Sequence, residues 1–171
     1  MFRIAITGAP GSGKSTVCRN VLKHLKCTYG GITSADIREK GERVGFEMLD
    51  IATGKRGILA HKHGAGPRMG SYHVNLSDLN TIGVAAIRNA MSSELIVIDE
   101  IAPMEFKSQE FIKAVEDALG SDKNMLVVLH QKSSHPVAER IRKEFQVYTV
   151  TPDNREKLVS EIAGKIIKAP Q

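Results

Sequence analysis

Near the start of the chain, Gly8-Ala9-Pro10-Gly11-Ser12-Gly13-Lys14-Ser15 has the residue types and spacing to hold a row of phosphates. It fits the pattern G-x-x-x-x-G-K-[ST]. Glycines accept backbone angles that turn successive N–H groups inward, so such a loop surrounds an anion with donors. A helix beginning near Lys14 aims its positive dipole end at the same place. Lys14 is then set to reach the β- and γ-phosphates, the Ser15 hydroxyl to ligate Mg²⁺, and Thr16 to help hold the α-phosphate.

Asp99 and Glu100 form a second constellation. They follow Leu95-Ile96-Val97-Ile98, an unbroken apolar run of the kind that makes a central parallel strand. In an open α/β sheet, ligands collect at the carboxyl ends of the strands. Asp99 placed there can face the loop and bind Mg²⁺, commonly through water. Glu100 can polarise a water for in-line attack on the γ-phosphate. Lys14 and Glu100 are therefore the candidate catalytic residues, and Ser15 and Asp99 the candidate metal ligands. The plain alternative for the acidic pair is a solvated turn after a core strand; the phosphate loop weighs against it. The sequence has no N-K-x-D, and no D-x-x-G follows the apolar run, so a guanine-reading switch is not expected.

These residues need a scaffold, and the rest of the chain supplies one. Phe2 to Thr7 reads as a buried strand ahead of the loop. A helix follows from about Lys14 to Lys26, with Val17, Val21, Leu22 and Leu25 on one face. Ser77 is expected to cap a helix running to about Met91, and Ser108 one that ends at Gly120. Met125–Leu129 is a second buried strand, and a short helix follows Pro136. Val147–Val150 is a last strand, and Thr151-Pro152 has the cap-plus-proline start of a final helix. This alternation predicts an α/β fold over 1–171: one domain with a mostly parallel central sheet and helices on both faces. An antiparallel hairpin is expected at about 32–60, and 61–70, rich in Gly, His and basic groups, reads as a mobile loop.

The chain has 171 residues, of which 42% are hydrophobic and 25% charged, the balance of a soluble globular protein. No apolar run is long enough to span a bilayer, which with the absence of an export signal points to the cytoplasm and away from membrane partners. Two cysteines, Cys18 and Cys27, make no disulfide framework and read as packed thiols. A net charge of +5 suits a nucleotide or a nucleic acid. Few aromatics are present, so nothing supports a base-stacking platform for nucleic acid.

Weaker candidates remain. Arg155, opening the last helix, is placed to stack on a base without selecting it; a surface arginine is an equal alternative. Arg38, Arg56, Arg68, Arg140 and Arg142 are candidates for a cation at the γ-phosphate, each more simply a solvated charge. His130 follows the second buried strand and can hydrogen-bond an attacking water. His61, His63 and His73 lack a further ligand at zinc spacing.

Taken together, Gly8–Thr16, Gly70-Ser71-Tyr72-His73-Val74, Ile98-Asp99-Glu100-Ile101-Ala102-Pro103-Met104-Glu105, Ser134-His135-Pro136 and Thr151–Arg155 occur in an order that resembles the small nucleoside-triphosphatase family known from thermophiles. Its vertebrate member is called cancer-related nucleoside-triphosphatase. The resemblance spans essentially the whole chain. It implies a P-loop NTPase domain, RecA-like or kinase-like. It implies Mg²⁺-dependent hydrolysis of ATP, GTP, CTP and UTP to diphosphate and phosphate, slow and tolerant of the base. It also implies nucleotide contacts along Gly8–Ser15 and along Ile98-Asp99-Glu100-Ile101. Apart from the resemblance, a monomer is expected. A nucleotide or metabolite kinase, or a nucleotide-gated module for RNA or protein, are the alternative readings. The chain departs from the family at Ala102-Pro103, where a Gly-Lys pair is common, and at His130-Gln131, where an apolar-Pro ending is common.

Overall fold

A computed structural model describes residues 1–169. The strands are β1 (Arg3–Thr7), β2 (Tyr29–Glu39), β3 (Glu42–Asp50), β4 (Arg56–His61), β5 (Arg68–Met69), β6 (Tyr72–Val74), β7 (Leu95–Ile101), β8 (Asn124–Leu129) and β9 (Gln146–Thr149). All nine join one sheet in the order β5-β6-β4-β3-β2-β7-β8-β1-β9. From β2 to β9 the neighbours run parallel; from β2 outward to β5 they run antiparallel.

Period-two side-chain alternation explains why the parallel part is covered on both faces. In β7, Leu95 and Val97 join a core cluster with Val17, Val21, Leu158 and Ile162. These last four belong to α1 (Lys14–Leu22) and α6 (Arg155–Lys168). Ile96 and Ile98 face the opposite cluster, with Ile87, Phe111 and Ile141. Those come from α3 (Val84–Ala90), α4 (Gln109–Gly120) and α5 (Pro136–Glu144), the second helical layer. A strand with both faces buried gains from an unbroken apolar sequence, which is what the run at 95–98 supplies.

The helix boundaries shift from the sequence expectation for identifiable reasons. Asn75, not Ser77, caps the helix before α3: its side chain accepts the Asp78 amide at 2.9 Å. That helix runs as α2 (Leu76–Asp78), a π turn (Leu79–Gly83) and then α3. Thr151-Pro152 forms a turn, and α6 starts later, at Arg155. Asn154 ties that turn together, accepting from the Thr151 amide at 2.8 Å and donating to the Thr149 carbonyl at 2.9 Å. The expected cap Ser108 is in place, accepting from the Phe111 amide, and His135 caps the helix that starts at Pro136, accepting from the Val137 amide.

The antiparallel part is larger than a hairpin. β2 pairs with β7 only through Ile32, and beyond that residue its partner is β3. The ribbon therefore projects past the carboxyl edge of the parallel strands. The stretch expected to be a mobile loop is held by local bonds, Gly64 N–H to the His61 carbonyl and Val74 N–H to the Pro67 carbonyl, and enters the β5–β6 hairpin at Arg68. Among the described residues, no helix is long and apolar enough to cross a membrane.

Candidate functional site

The phosphate-loop sequence leaves β1 and enters α1. Gly13 sits at the start of α1 with φ of 98°, a left-handed angle open to glycine at little cost. A Cβ there would also lie 2.7 Å from the Arg155 Nε. No side chain caps α1, so its first-turn amides are left for an anion. The Lys14 ammonium donates to the carbonyls of Gly8 and Ala9, at 3.2 and 3.3 Å.

β7 delivers the carboxylates to the same place. Asp99 pairs with Val128 and Ile101 with Leu129, so Glu100 is an extra residue in the ladder. A bulge of this kind re-aims side chains at the end of a strand. The peptide joining Asp99 and Glu100 is cis. The Ser15 hydroxyl donates to Asp99 Oδ1 at 2.7 Å across a separation of 84 residues. Asp99 is 0% exposed, and its other oxygen has no partner among the described residues. Burial pushes its carboxyl up to about 7, against the Ser15 hydrogen bond; the nearby Glu100 charge adds to the rise. Burial likewise raises Glu100, opposed by Lys14 and His130.

Two residues that sequence reasoning passed over complete the surroundings. Glu105 is 2% exposed, and burial, with the Glu100 charge adding to it, pushes its carboxyl well up. A third acid just beyond the pair, in an otherwise apolar stretch, was the available signal. The Thr7 hydroxyl donates to the Leu129 carbonyl at 3.0 Å, fastening the end of β1 to the end of β8. β8 lies between the loop-bearing strand and the acidic strand, so His130, at its end, comes up beside Glu100.

Other candidates lie elsewhere. Ile98 and Ile101, which flank the acidic pair, are 0% exposed; their side chains pack in the core cluster and brace β7. Arg155 reaches the loop, donating from Nε to the Ser12 carbonyl at 2.7 Å. The arginines weighed for the γ-phosphate are occupied. Arg38 bonds Asp36, Arg56 bonds Glu47, Arg68 bonds the Gly70 carbonyl, Arg140 bonds Glu144, and Arg142 bonds the carbonyls of His130 and Gln131. Thr16 is exposed at the helix start. Cys18 is buried on the inward face of α1, where desolvation raises its thiol, and Cys27 is half-buried.

A helix start that no side chain caps, a lysine and a buried Asp on a serine hydroxyl form an arrangement suited to a nucleotide. A family model described as NTPase matches residues 3–163. The chain belongs to this nucleoside-triphosphatase family. It is 52% identical to a protein named nucleoside-triphosphatase THEP1 from Methanosarcina acetivorans, over 98% of each chain. It is 41% identical to one of that name from Methanothermobacter thermautotrophicus, over 94% of each. Among solved structures of the family it resembles THEP1 from Aquifex aeolicus, with a TM-score of 0.82 and 28% identity over 93% of this chain and 95% of that one. A human cancer-related nucleoside triphosphatase matches over 100% of both chains, with a TM-score of 0.82 and 29% identity. The family resemblance and the α/β P-loop fold read from the sequence are thereby borne out.

The donor set of the site fits a hard divalent cation. Asp99 offers an unpartnered buried carboxylate oxygen beside the Ser15 hydroxyl, and oxygen donors of this kind suit Mg²⁺.

Proposed function

We propose that this protein hydrolyses nucleoside triphosphates to diphosphate and phosphate, slowly and with little regard for the base. The observation that carries this reading is the Ser15–Asp99 hydrogen bond at 2.7 Å, which joins the phosphate loop to the acidic strand end. The loop Gly8 to Ser15, running through Ala9, Pro10, Gly11, Ser12 and Gly13, surrounds the phosphates with its backbone N–H groups, Pro10 having none to give, and Thr16 helps at the α-phosphate. Lys14 leaves its carbonyl partners for the β- and γ-phosphates. Ser15 and Asp99 hold Mg²⁺, which supplies charge neutralisation on the phosphate oxygens. Glu100 orients the attacking water and takes its proton. Its raised affinity for a proton, caused by burial, brings it nearer to neutral pH and suits it to that exchange.

Base tolerance is supported by what meets the loop. Arg155 fastens it through Ser12, and a guanidinium beside a base favours any π face without reading its edge. Slow turnover is supported by the arginines: the five weighed for the γ-phosphate are bonded to other groups, so none of them stands ready for the developing charge. We further propose that the chain acts as a single-domain monomer in the cytoplasm.

The test is phosphate release from ATP, GTP, CTP and UTP, with Mg²⁺ and with EDTA. All four should be cleaved at rates within about tenfold of each other, because a guanidinium stack distinguishes bases weakly. EDTA should abolish the activity. Cleavage of a single base only, or cleavage that persists in EDTA, would overturn the reading.

A further inference from the structure

A pocket of about 430 Å³ opens beside the acidic end of β7. It lies between Met69, at the tip of the β5–β6 hairpin, and the loops that follow β7 and β8. Its apolar floor is Met69, Pro103 and Phe106; its polar lining is Lys107, His130, Lys132, Ser133, Ser134 and His135. No carboxylate lines it among the described residues.

The imidazoles decide what such a wall offers. His130 Nδ1 accepts the Lys132 amide at 3.3 Å, and His135 Nδ1 accepts the Val137 amide at 3.2 Å. A nitrogen that accepts from a backbone N–H carries no proton, so each neutral ring bears its proton on Nε2. Both rings are therefore donors at Nε2, where neither has a protein partner among the described residues. Lysine ammoniums only donate, and serine hydroxyls rotate to do so.

The donors are held in place. His135 stacks on Phe106, ring centroids 3.9 Å apart and planes 14° from parallel. The His130 amide donates to the Ile101 carbonyl at 3.0 Å. Arg142 grips the carbonyls of His130 and Gln131, both at 3.1 Å. Pre-set donors around a cavity suit an anion, since little ordering is left for binding to impose. The volume lies in the range of small-molecule sites, with room for more than a lone phosphate.

We propose that this pocket is a second site, adjoining the γ-phosphate side of the first, for a phosphate-type oxyanion: the ion freed by hydrolysis or the phosphate group of a small metabolite. Its placement relative to the triphosphate rests on the phosphohydrolase reading; its affinity for an anion does not.

The experiment uses the full chain with Mg²⁺ and a non-hydrolysable ATP analogue in excess, so that the phosphate loop is filled. The side-chain NMR signals of His130 and His135 are followed as inorganic phosphate is added, and separately as glycerol 1-phosphate is added, against chloride at matched ionic strength. Both rings should shift and saturate with the phosphates and not with chloride. The double variant K107Q/K132Q should weaken this by roughly tenfold, the loss of a charge-assisted hydrogen bond. K132Q alone, at an exposed position, serves as a second variant should the double one fold poorly. Tighter binding of glycerol 1-phosphate identifies a metabolite site; equal or weaker binding identifies the site of the freed ion. No saturation beyond chloride, or saturation that ignores both variants, overturns the proposal. Failure of the analogue to bind counts against the phosphohydrolase reading alone, because the ring shifts and their dependence on the lysines are still read.

Discussion

The sheet joins two regions built on opposite rules. From β2 to β9 every strand runs the same way, so every carboxyl end opens on one edge. Residues far apart in sequence converge there, as Ser15 and Asp99 do across 84 positions. From the far half of β2 out to β5 the strands alternate in direction, and charges near the surface pair with one another: Arg38 and Arg43 with Asp36, Arg56 with Glu47. Three of the arm's arginines spend their charge on neighbouring carboxylates. At the edge of the parallel region Asp99 and Glu105 are buried, Glu100 is half-buried between them, and the Glu100 charge helps to raise the carboxyls of both. Convergence, rather than abundance, separates a reactive cluster from a soluble surface.

The largest effect that can break this contrast is at Glu100. Glu100→Gln should lower turnover by roughly 10²–10⁴ while triphosphate affinity, measured by calorimetry, stays near that of the parent. Turnover equal to the parent would take Glu100 out of the chemistry.

Acidity gives the next test. The carboxyl of Asp99 is held up to about 7, and those of Glu100 and Glu105 are raised by the same burial. Unfolded carboxylic acids titrate near 4. Between the two values the folded chain binds more protons than the unfolded chain, so stability is greatest at the acid end and is lost as pH climbs through about 7. Without Mg²⁺ or nucleotide, the melting temperature should fall from pH 5 to pH 8, and Asp99→Asn should flatten the decline. A melting temperature that climbs over that range would show that these carboxyls are not held protonated by burial.

A smaller loss is expected at Arg155. Removing its bond to Ser12 in Arg155→Ala should weaken triphosphate binding roughly tenfold. An equal loss for inorganic triphosphate and for the nucleoside triphosphates marks a residue that positions the loop. A loss confined to the ligands that carry a base marks one that stacks on the base. The smallest effect belongs to the arm. Arg56→Ala should move stability by no more than about 0.5 kcal/mol and leave turnover unchanged, as an exposed ion pair allows. A clear drop in turnover there would place chemistry in the wrong half of the sheet.

The same contrast governs what could be read from the sequence. The phosphate loop is contiguous, so its pattern is complete in the linear chain. β7 and β8 are buried on both faces, and continuous apolar runs announce them. The arm is different. β5 and β6 have two and three residues, too few to show alternation, and their glycine-rich approach looks like a loop. Asn75 displaced Ser77 as cap because an asparagine two residues earlier already met the Asp78 amide. Glu105 was passed over because its apolar neighbours are only a weak local mark; whether a carboxyl is buried is decided by what packs above it. The partners of the arginines weighed for the γ-phosphate were illegible for a related reason: a guanidinium's partners come from the fold.

Lys14 bonded to Gly8 and Ala9, with Arg155 bonded to Ser12, gives the phosphate loop two internal stitches made by the chain's own cations. A loop basted in this way keeps its curvature through thermal motion, and an incoming triphosphate has only to exchange one stitch for its own oxygens. Capture should therefore proceed in a single kinetic phase whose rate rises in proportion to ligand concentration, without the plateau that a slow rearrangement would impose.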